Sequence, residues 1–199
     1  MAHADTLRVG CVVMAAGNSS RFGSNKLLHR LDGRTFIERA LDAVPPELLE
    51  NTVVVTQYDA VAALAEHRGL RVLRNEHPDW GVSHTIRLGT QALQSCDGIL
   101  YLVADQPHLT QASVSRIVQT WRAHPDRITG AAHGERRGNP NLFPAEFFDE
   151  LCALEGDRGG TRVIRAHPER LLTVQIPEAE LADHDDPDKL GGAEEKQKK

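Results

Sequence analysis

Val9-Gly10-Cys11-Val12-Val13-Met14-Ala15-Ala16-Gly17-Asn18-Ser19-Ser20-Arg21-Phe22-Gly23-Ser24-Asn25-Lys26 passes from an apolar run into a polar, glycine-bearing loop. An apolar run that does not alternate reads as a strand covered on both faces, as in a parallel sheet. Ligands of such sheets sit at the carboxyl ends of the strands, so this loop lies where a ligand is expected. Ala15, Ala16 and Gly17 let the backbone come close to it. Gly17, Asn18 and Ser19 expose backbone N–H groups that can cradle anionic oxygens, and Arg21 and Lys26 add cations to the same loop. The spacing does not fit Gly-x-Gly-x-x-Gly, and the Gly-Lys-Ser/Thr of a P-loop is missing. On composition alone, a polar strand-to-helix loop with solvated charges fits equally well.

Outward from this loop, helical and strand patterns alternate. Phe36, Ile37, Ala40 and Leu41 recur at helical spacing within 35–43, and Pro45 and Pro46 end that helix. Residues 52–56 read as a β-branched strand, 60–67 as a helix closed by Gly69, and 71–73 as a short strand. A helix is expected over 82–93, a buried strand over 99–103, and a long helix capped by Thr110 that runs through Trp121. Residues 128–132 read as a strand, 133–139 as a polar loop, 147–154 and 161–166 as helices, and 171–176 as a last strand. The pattern predicts a single α/β domain over residues 1–190, with a mostly parallel sheet and helices on both faces. Gly191 to Lys199 holds only Gly, Ala, Glu, Gln and Lys, and reads as a disordered polar tail.

The bulk composition excludes several classes. A net charge of −5 argues against a non-specific nucleic-acid binder. The longest apolar run near the start is too short for a membrane span, and no signal peptide is apparent. Cys11, Cys96 and Cys152 show no metal-ligand spacing, so free thiols in a cytoplasmic protein are expected. The ten His residues show no metal-ligand spacing either.

Asp105 follows the apolar strand 99–103, at the position of a ligand cleft. A carboxylate there suits Mg²⁺, which takes few carboxylates plus phosphate oxygens and water. As an alternative, Asp105 is a turn former ahead of the next helix. Ser83 and Arg87 lie near the start of the 82–93 helix, where they either meet a nucleotide or act as a helix cap and a surface cation. Trp80, in the turn before Gly81, is assigned no role.

The loop pattern Ala15-Ala16-Gly17-x-Ser19-x-Arg21-x-Gly23-x-x-Lys26 resembles the signature of the MobA-like nucleotidyltransferases, within them the molybdenum cofactor cytidylyltransferases. Further blocks follow in order: Asn75-Glu76-His77-Pro78 with Gly81, Ser83, Arg87 and Gly89; Asp105-Gln106-Pro107; Gly138-Asn139-Pro140; and Gly156-Asp157-Arg158-Gly159-Gly160. Asp183-His184-Asp185-Asp186-Pro187 is similar to a degraded form of a late acidic segment of the family. The resemblance implies a Rossmann-like sheet of the GT-A type and transfer of a nucleoside monophosphate from an NTP, CTP or GTP, to molybdopterin, with a molybdenum hydroxylase as the eventual client. It implies Ala15, Ala16, Gly17, Asn18, Ser19, Arg21, Lys26, Ser83, Arg87 and Asp105 at the nucleotide, with Lys26, Arg21 and Asp105 catalytic. Mg²⁺ is implied on Asp105, with Asp185 as its second ligand; the latter also reads as part of an exposed acidic turn. The Ala15-Ala16 pair favours CTP. Ala104, His84, Thr85, Asp186, Asp188 and Lys189 depart from the family pattern. The alternatives are another phosphorylated acceptor and a non-catalytic carrier of the finished cofactor.

Overall fold

The computed structural model describes residues 7–18 and 25–183. In chain order it runs β1 (Val9–Ala15), β2 (Arg30–Leu31), β3 (Arg34–Thr35), α1 (Phe36–Asp42), β4 (Thr52–Thr56), α2 (Asp59–His67), β5 (Arg71–Arg74) and α3 (Val82–Ala92). It continues with β6 (Gly98–Val103), α4 (Gln111–Ala123), β7 (Ile128–His133), β8 (Arg136–Pro144), α5 (Phe148–Cys152), α6 (Thr161–Ala166) and β9 (Leu171–Gln175). Short 3₁₀ turns join several of these elements, and β2 and β3 form a small antiparallel ribbon of their own.

Seven strands form the main sheet in the order β5-β4-β1-β6-β8-β7-β9. The pairs β1–β4, β1–β6, β4–β5 and β7–β9 are parallel, and β8 alone runs against its neighbours. The period of two along a strand divides the core into two layers. Cys11, Val13, Ala15, Leu100 and Leu102 pack on one side with Ile37, Val61, Ile117 and Trp121 from α1, α2 and α4. Val12, Ile99 and Tyr101 pack on the other with Ile86, Leu151 and Val163 from α3, α5 and α6. The expected parallel sheet with helices on both faces is therefore present.

The sequence reading differs from the structure mainly at 133–139. Instead of a long loop, a tight turn leads into β8 at Arg136. Gly138 and Pro140 are poor strand formers, and the exposed Arg136 and Arg137 hide the strand's start. The register shifts between Gly130 and Ala132 opposite this stretch, so Pro140 sits at an irregularity that tolerates its missing N–H. The expected 147–154 helix is a 3₁₀ turn followed by the shorter α5.

α3 lies close on the sheet because Gly89 faces Val12. A Cβ at Gly89 would stand 2.5 Å and 2.6 Å from the two Val12 methyl carbons. Val12 is fully buried and β-branched, so it has no alternative rotamer to move to. Gly89→Ala gains about 1 kcal/mol of helix propensity, but contacts this short put the overpacking cost at about 3 kcal/mol, the upper end of its usual range. A lowered denaturant midpoint with an unchanged slope is the expected outcome, measured by urea unfolding.

Candidate active site

The chain visits β1, then β4 and β5 on one side, and then returns to β6 on the other side of β1. This is a topological switch point, where the connections leave a crevice at the carboxyl ends of β1 and β6. Lys26 and Asp105 enter it from the segments that follow those two strands. Their Nζ and Oδ2 atoms meet at 2.9 Å, with side-chain exposures of 12% and 28%.

Both residues are positioned by their neighbours. The Asn25 side chain accepts a hydrogen bond from the Leu27 N–H at 3.0 Å, capping the turn Lys26–Leu28, and Leu27 is buried beneath it. The Ala104 N–H donates to the Met14 carbonyl at 3.2 Å, extending the β1–β6 pairing past the strand end. Buried Ala104 and Gln106 flank Asp105. Asp105 does lie in the turn that follows β6, as its turn-former reading expects, but it does not cap the next helix. Thr110 caps α4 by accepting from the Ser113 N–H at 3.2 Å. The buried Glu180 carboxylate in turn accepts from the Thr110 N–H at 2.9 Å, pinning the late chain segment beside the Asp105 turn.

The loop after β1 is held from the β4 side. Thr56 Oγ1 donates to the Ala15 carbonyl, Gln57 Nε2 to the Ala16 carbonyl and the Tyr58 hydroxyl to the Gly17 carbonyl, each at 2.9 Å. Gln57 Nε2 also donates to Asn18 Oδ1. In a trans peptide the N–H opposes the carbonyl, so the N–H groups of Ala16, Gly17 and Asn18 point away from these three side chains. Ala15 and Ala16 are buried, Gly17 and Asn18 are exposed, and a Cβ built on Gly17 meets nothing within 4 Å among the described residues. Thr56, Gln57 and Tyr58 escape the motif reading, although polar residues at the carboxyl end of a buried strand were a usable signal.

Ser83 and Arg87 have partners within the protein. Ser83 is buried; its N–H donates to the Gly156 carbonyl at 3.1 Å and its hydroxyl to the Trp80 carbonyl at 3.4 Å. The Arg87 guanidinium donates to the carbonyls of Cys152 and Leu154, at 3.0 Å and 3.1 Å. These carbonyls belong to the end of α5 and the turn beyond, where a cation offsets the helix dipole. Ser19, Arg21 and Asp185 lie outside the described residues, as does the 191–199 tail.

Among the described residues no group of three or more His, Cys, Asp or Glu side chains is placed to hold a metal ion. No helix of the described residues is long and apolar enough to cross a membrane. Burial pushes the Cys11 thiol up to about 12 and raises those of Cys96 and Cys152. A thiol so shifted is a poor nucleophile at neutral pH.

The family profile described as the MobA-like NTP transferase domain matches residues 11–171. The chain is 29% identical over 168 residues to the nicotine blue oxidoreductase of Paenarthrobacter nicotinovorans, covering 79% of this chain and 81% of that one. Its fold is similar to that of a nucleotidyl transferase from Methanothermobacter thermautotroptrophicus, with a TM-score of 0.74, 24% identity and coverage of 89% and 92% of the two chains. It is also similar to Rv0371c of Mycobacterium tuberculosis H37Rv in complex with manganese, with a TM-score of 0.67, 23% identity and coverage of 85% and 90%.

An exposed ion pair adds about 1 kcal/mol or less to stability, whereas breaking a fully buried one costs about 3–5 kcal/mol. The part-buried Lys26–Asp105 pair lies between, so Lys26→Met and Asp105→Asn are each expected to lose about 1–3 kcal/mol in urea. A loss several times larger would make the pair a structural element.

Proposed function

Since the chain belongs to the MobA-like NTP transferase family, a family of nucleotidyltransferases, we propose that it transfers CMP from CTP to molybdopterin, releases pyrophosphate and depends on Mg²⁺. The observation that carries this reading is the crevice between β1 and β6. There a lysine, a carboxylate and a loop with outward N–H groups converge.

The reaction joins two anions. An oxygen of the acceptor's terminal phosphate forms a bond to the α-phosphorus, and the α–β phosphoanhydride bond breaks. The electron pair of that bond leaves with pyrophosphate. Mutual repulsion is the main barrier, so catalysis rests on positioning and neutralisation. The N–H groups of Ala16, Gly17 and Asn18 receive phosphate oxygens, and Ser19 and Arg21 extend the same loop. Lys26 offsets the charge that builds on the leaving pyrophosphate. No side-chain nucleophile takes part.

Asp105 fits Mg²⁺. It is a half-exposed carboxylate facing the phosphate loop, and this ion takes one or two carboxylates, completing its shell with phosphate oxygens and water. Asp185 is the second ligand in this reading. Glu180 supports it by anchoring the segment just before, at the helix that follows Asp105. When bound, the ion neutralises and polarises phosphate oxygens. The manganese complex of the structurally similar Rv0371c is consistent with a divalent cation here. The preference for CTP over GTP rests on the small, buried Ala15 and Ala16 beneath the loop.

The test is pyrophosphate release from purified protein given molybdopterin, Mg²⁺ and each NTP in turn. Release with CTP, lost on chelation with EDTA and lost in Asp105→Ala, is expected. Release with GTP alone would reassign the base, and none with any NTP would overturn the reading. Gly17→Ala separates backbone approach from folding. Its new methyl meets no atom of the described residues within 4 Å, so thermal unfolding should not change, while CTP affinity should fall roughly tenfold if phosphate oxygens bond the loop backbone.

A further inference from the structure

Trp80 is one of the two tryptophans of the chain. Trp121 is fully buried, but Trp80 is 50% exposed at the end of the turn Pro78–Trp80. Half-exposed tryptophan is costly in water and common where an aromatic surface meets a partner. The surroundings of Trp80 are ordered around its ring. The His77 imidazole stacks on one face, with ring centroids 4.1 Å apart and planes 8° from parallel. His84 stands edge-on, with centroids 4.9 Å apart and planes at 70°. His77 and His84 are 5.9 Å apart. These three separations close a triangle with nearly a right angle at Trp80. His84 therefore lies at the rim of the indole, and neither imidazole covers the face opposite His77.

The platform is fixed to the same sheet edge as the phosphate loop. The Asn75 N–H donates to the Thr56 carbonyl at 2.9 Å, the point from which Gln57 and Tyr58 reach the Ala16 and Gly17 carbonyls. Asn75 Oδ1 accepts from the His77 N–H at 3.0 Å, and Asn75 Nδ2 donates to Thr85 Oγ1 at 3.2 Å. One buried side chain thus ties the turn and the first turn of α3 to the end of β4. Gly81, with φ of +83°, follows Trp80 directly, and a Cβ there would stand 2.3 Å from the Gly156 backbone. The turn is wedged between that backbone and α3, so the indole has no route into the core. Burial, with help from the nearby Arg87 charge, lowers the His84 pKa from its ordinary value.

We propose that the open face of Trp80 is a stacking subsite for a planar heteroaromatic ring of a substrate. Base-on-aromatic stacking is tolerant of ring identity, because any such ring offers a π face. Two sources fit that chemistry, the nucleobase of the NTP and the ring system of the acceptor. The inference deepens the proposed transfer reaction and rests on it for the identity of its ligands, but not for the stacking itself.

The two indole N–H resonances of the intact protein report on it directly, and Trp80→Phe assigns them. CTP, GTP and free pterin are titrated separately. A shift of the Trp80 resonance with Trp121 unmoved is expected for at least one of them. Movement with CTP or GTP assigns the nucleobase, and movement with pterin assigns the acceptor. Trp80→Ala should weaken binding of that ligand roughly tenfold, and Trp80→Phe should restore most of it. An unmoved Trp80 resonance at saturating concentrations of all three, or equal affinity in Trp80→Ala, overturns the subsite. Pyrophosphate release is measured on the same samples. A shifted indole without release keeps the subsite and removes the transferase reading; release with an unmoved indole does the reverse.

Discussion

Everything at the crevice depends on β1 being flanked by two parallel strands that arrive from different parts of the chain. β4 lies on one side of it and β6 on the other. Residues 26 and 105, separated by 79 positions, meet at 2.9 Å because the segments after β1 and β6 leave the sheet at the same edge. The β4 side is closed differently. Thr56, Gln57 and Tyr58 bond three successive carbonyls of the β1 loop and turn its N–H groups the other way. One neighbour supplies the charged partner and the other orients the backbone. A shift of either strand's register by one residue would send these side chains to the opposite face of the sheet.

The second layer of organisation surrounds the start of α3. Arg87 bonds two carbonyls at the end of α5, and the Ser83 N–H bonds the Gly156 carbonyl. Gly81 lets the two backbones touch where any side chain would collide. These contacts bolt the 152–157 loop to α3. Arg87 is suited to this because its fork satisfies two carbonyls at once, which a lysine cannot match.

The legible parts of the sequence were those with a local cause. The uninterrupted apolar runs of β1 and β6, the β-branched β4 and the Thr110 cap each follow from a few adjacent residues, and the structure has all of them. Lys26 and Asp105 could be named from strand ends and motif spacing, and the fold brings them together. β8 was not legible, because its pairing is set by β6 and β7 while its own Gly138 and Pro140 speak for a turn. Gln57, Tyr58 and Glu180 were not legible for a related reason. Each acts on a backbone group 41 or 70 residues away, and no spacing rule encodes that distance. Trp80 could be placed in a turn from sequence, but its exposed face is visible only once His77 and His84 are positioned around it.

The exposure of the Lys26–Asp105 pair has a bearing on how the crevice works. Breaking a fully buried ion pair leaves an uncompensated charge and costs about 3–5 kcal/mol. A pair in contact with water costs about 1 kcal/mol or less to separate, because each charge is rehydrated. With 12% and 28% of the two side chains exposed, the pair lies between these limits. Under the proposed reaction the lysine must turn to a phosphate and the carboxylate to a cation. The two charges hold each other in the crevice before ligands arrive. In the proposed reaction Lys26 would hold a phosphate and Asp105 would hold the cation, so their mutual contact would be exchanged for contacts to the ligands. That exchange runs downhill only if the original pair is weak, so a better buried Lys26–Asp105 bridge would stabilise the empty fold at the expense of ligand binding.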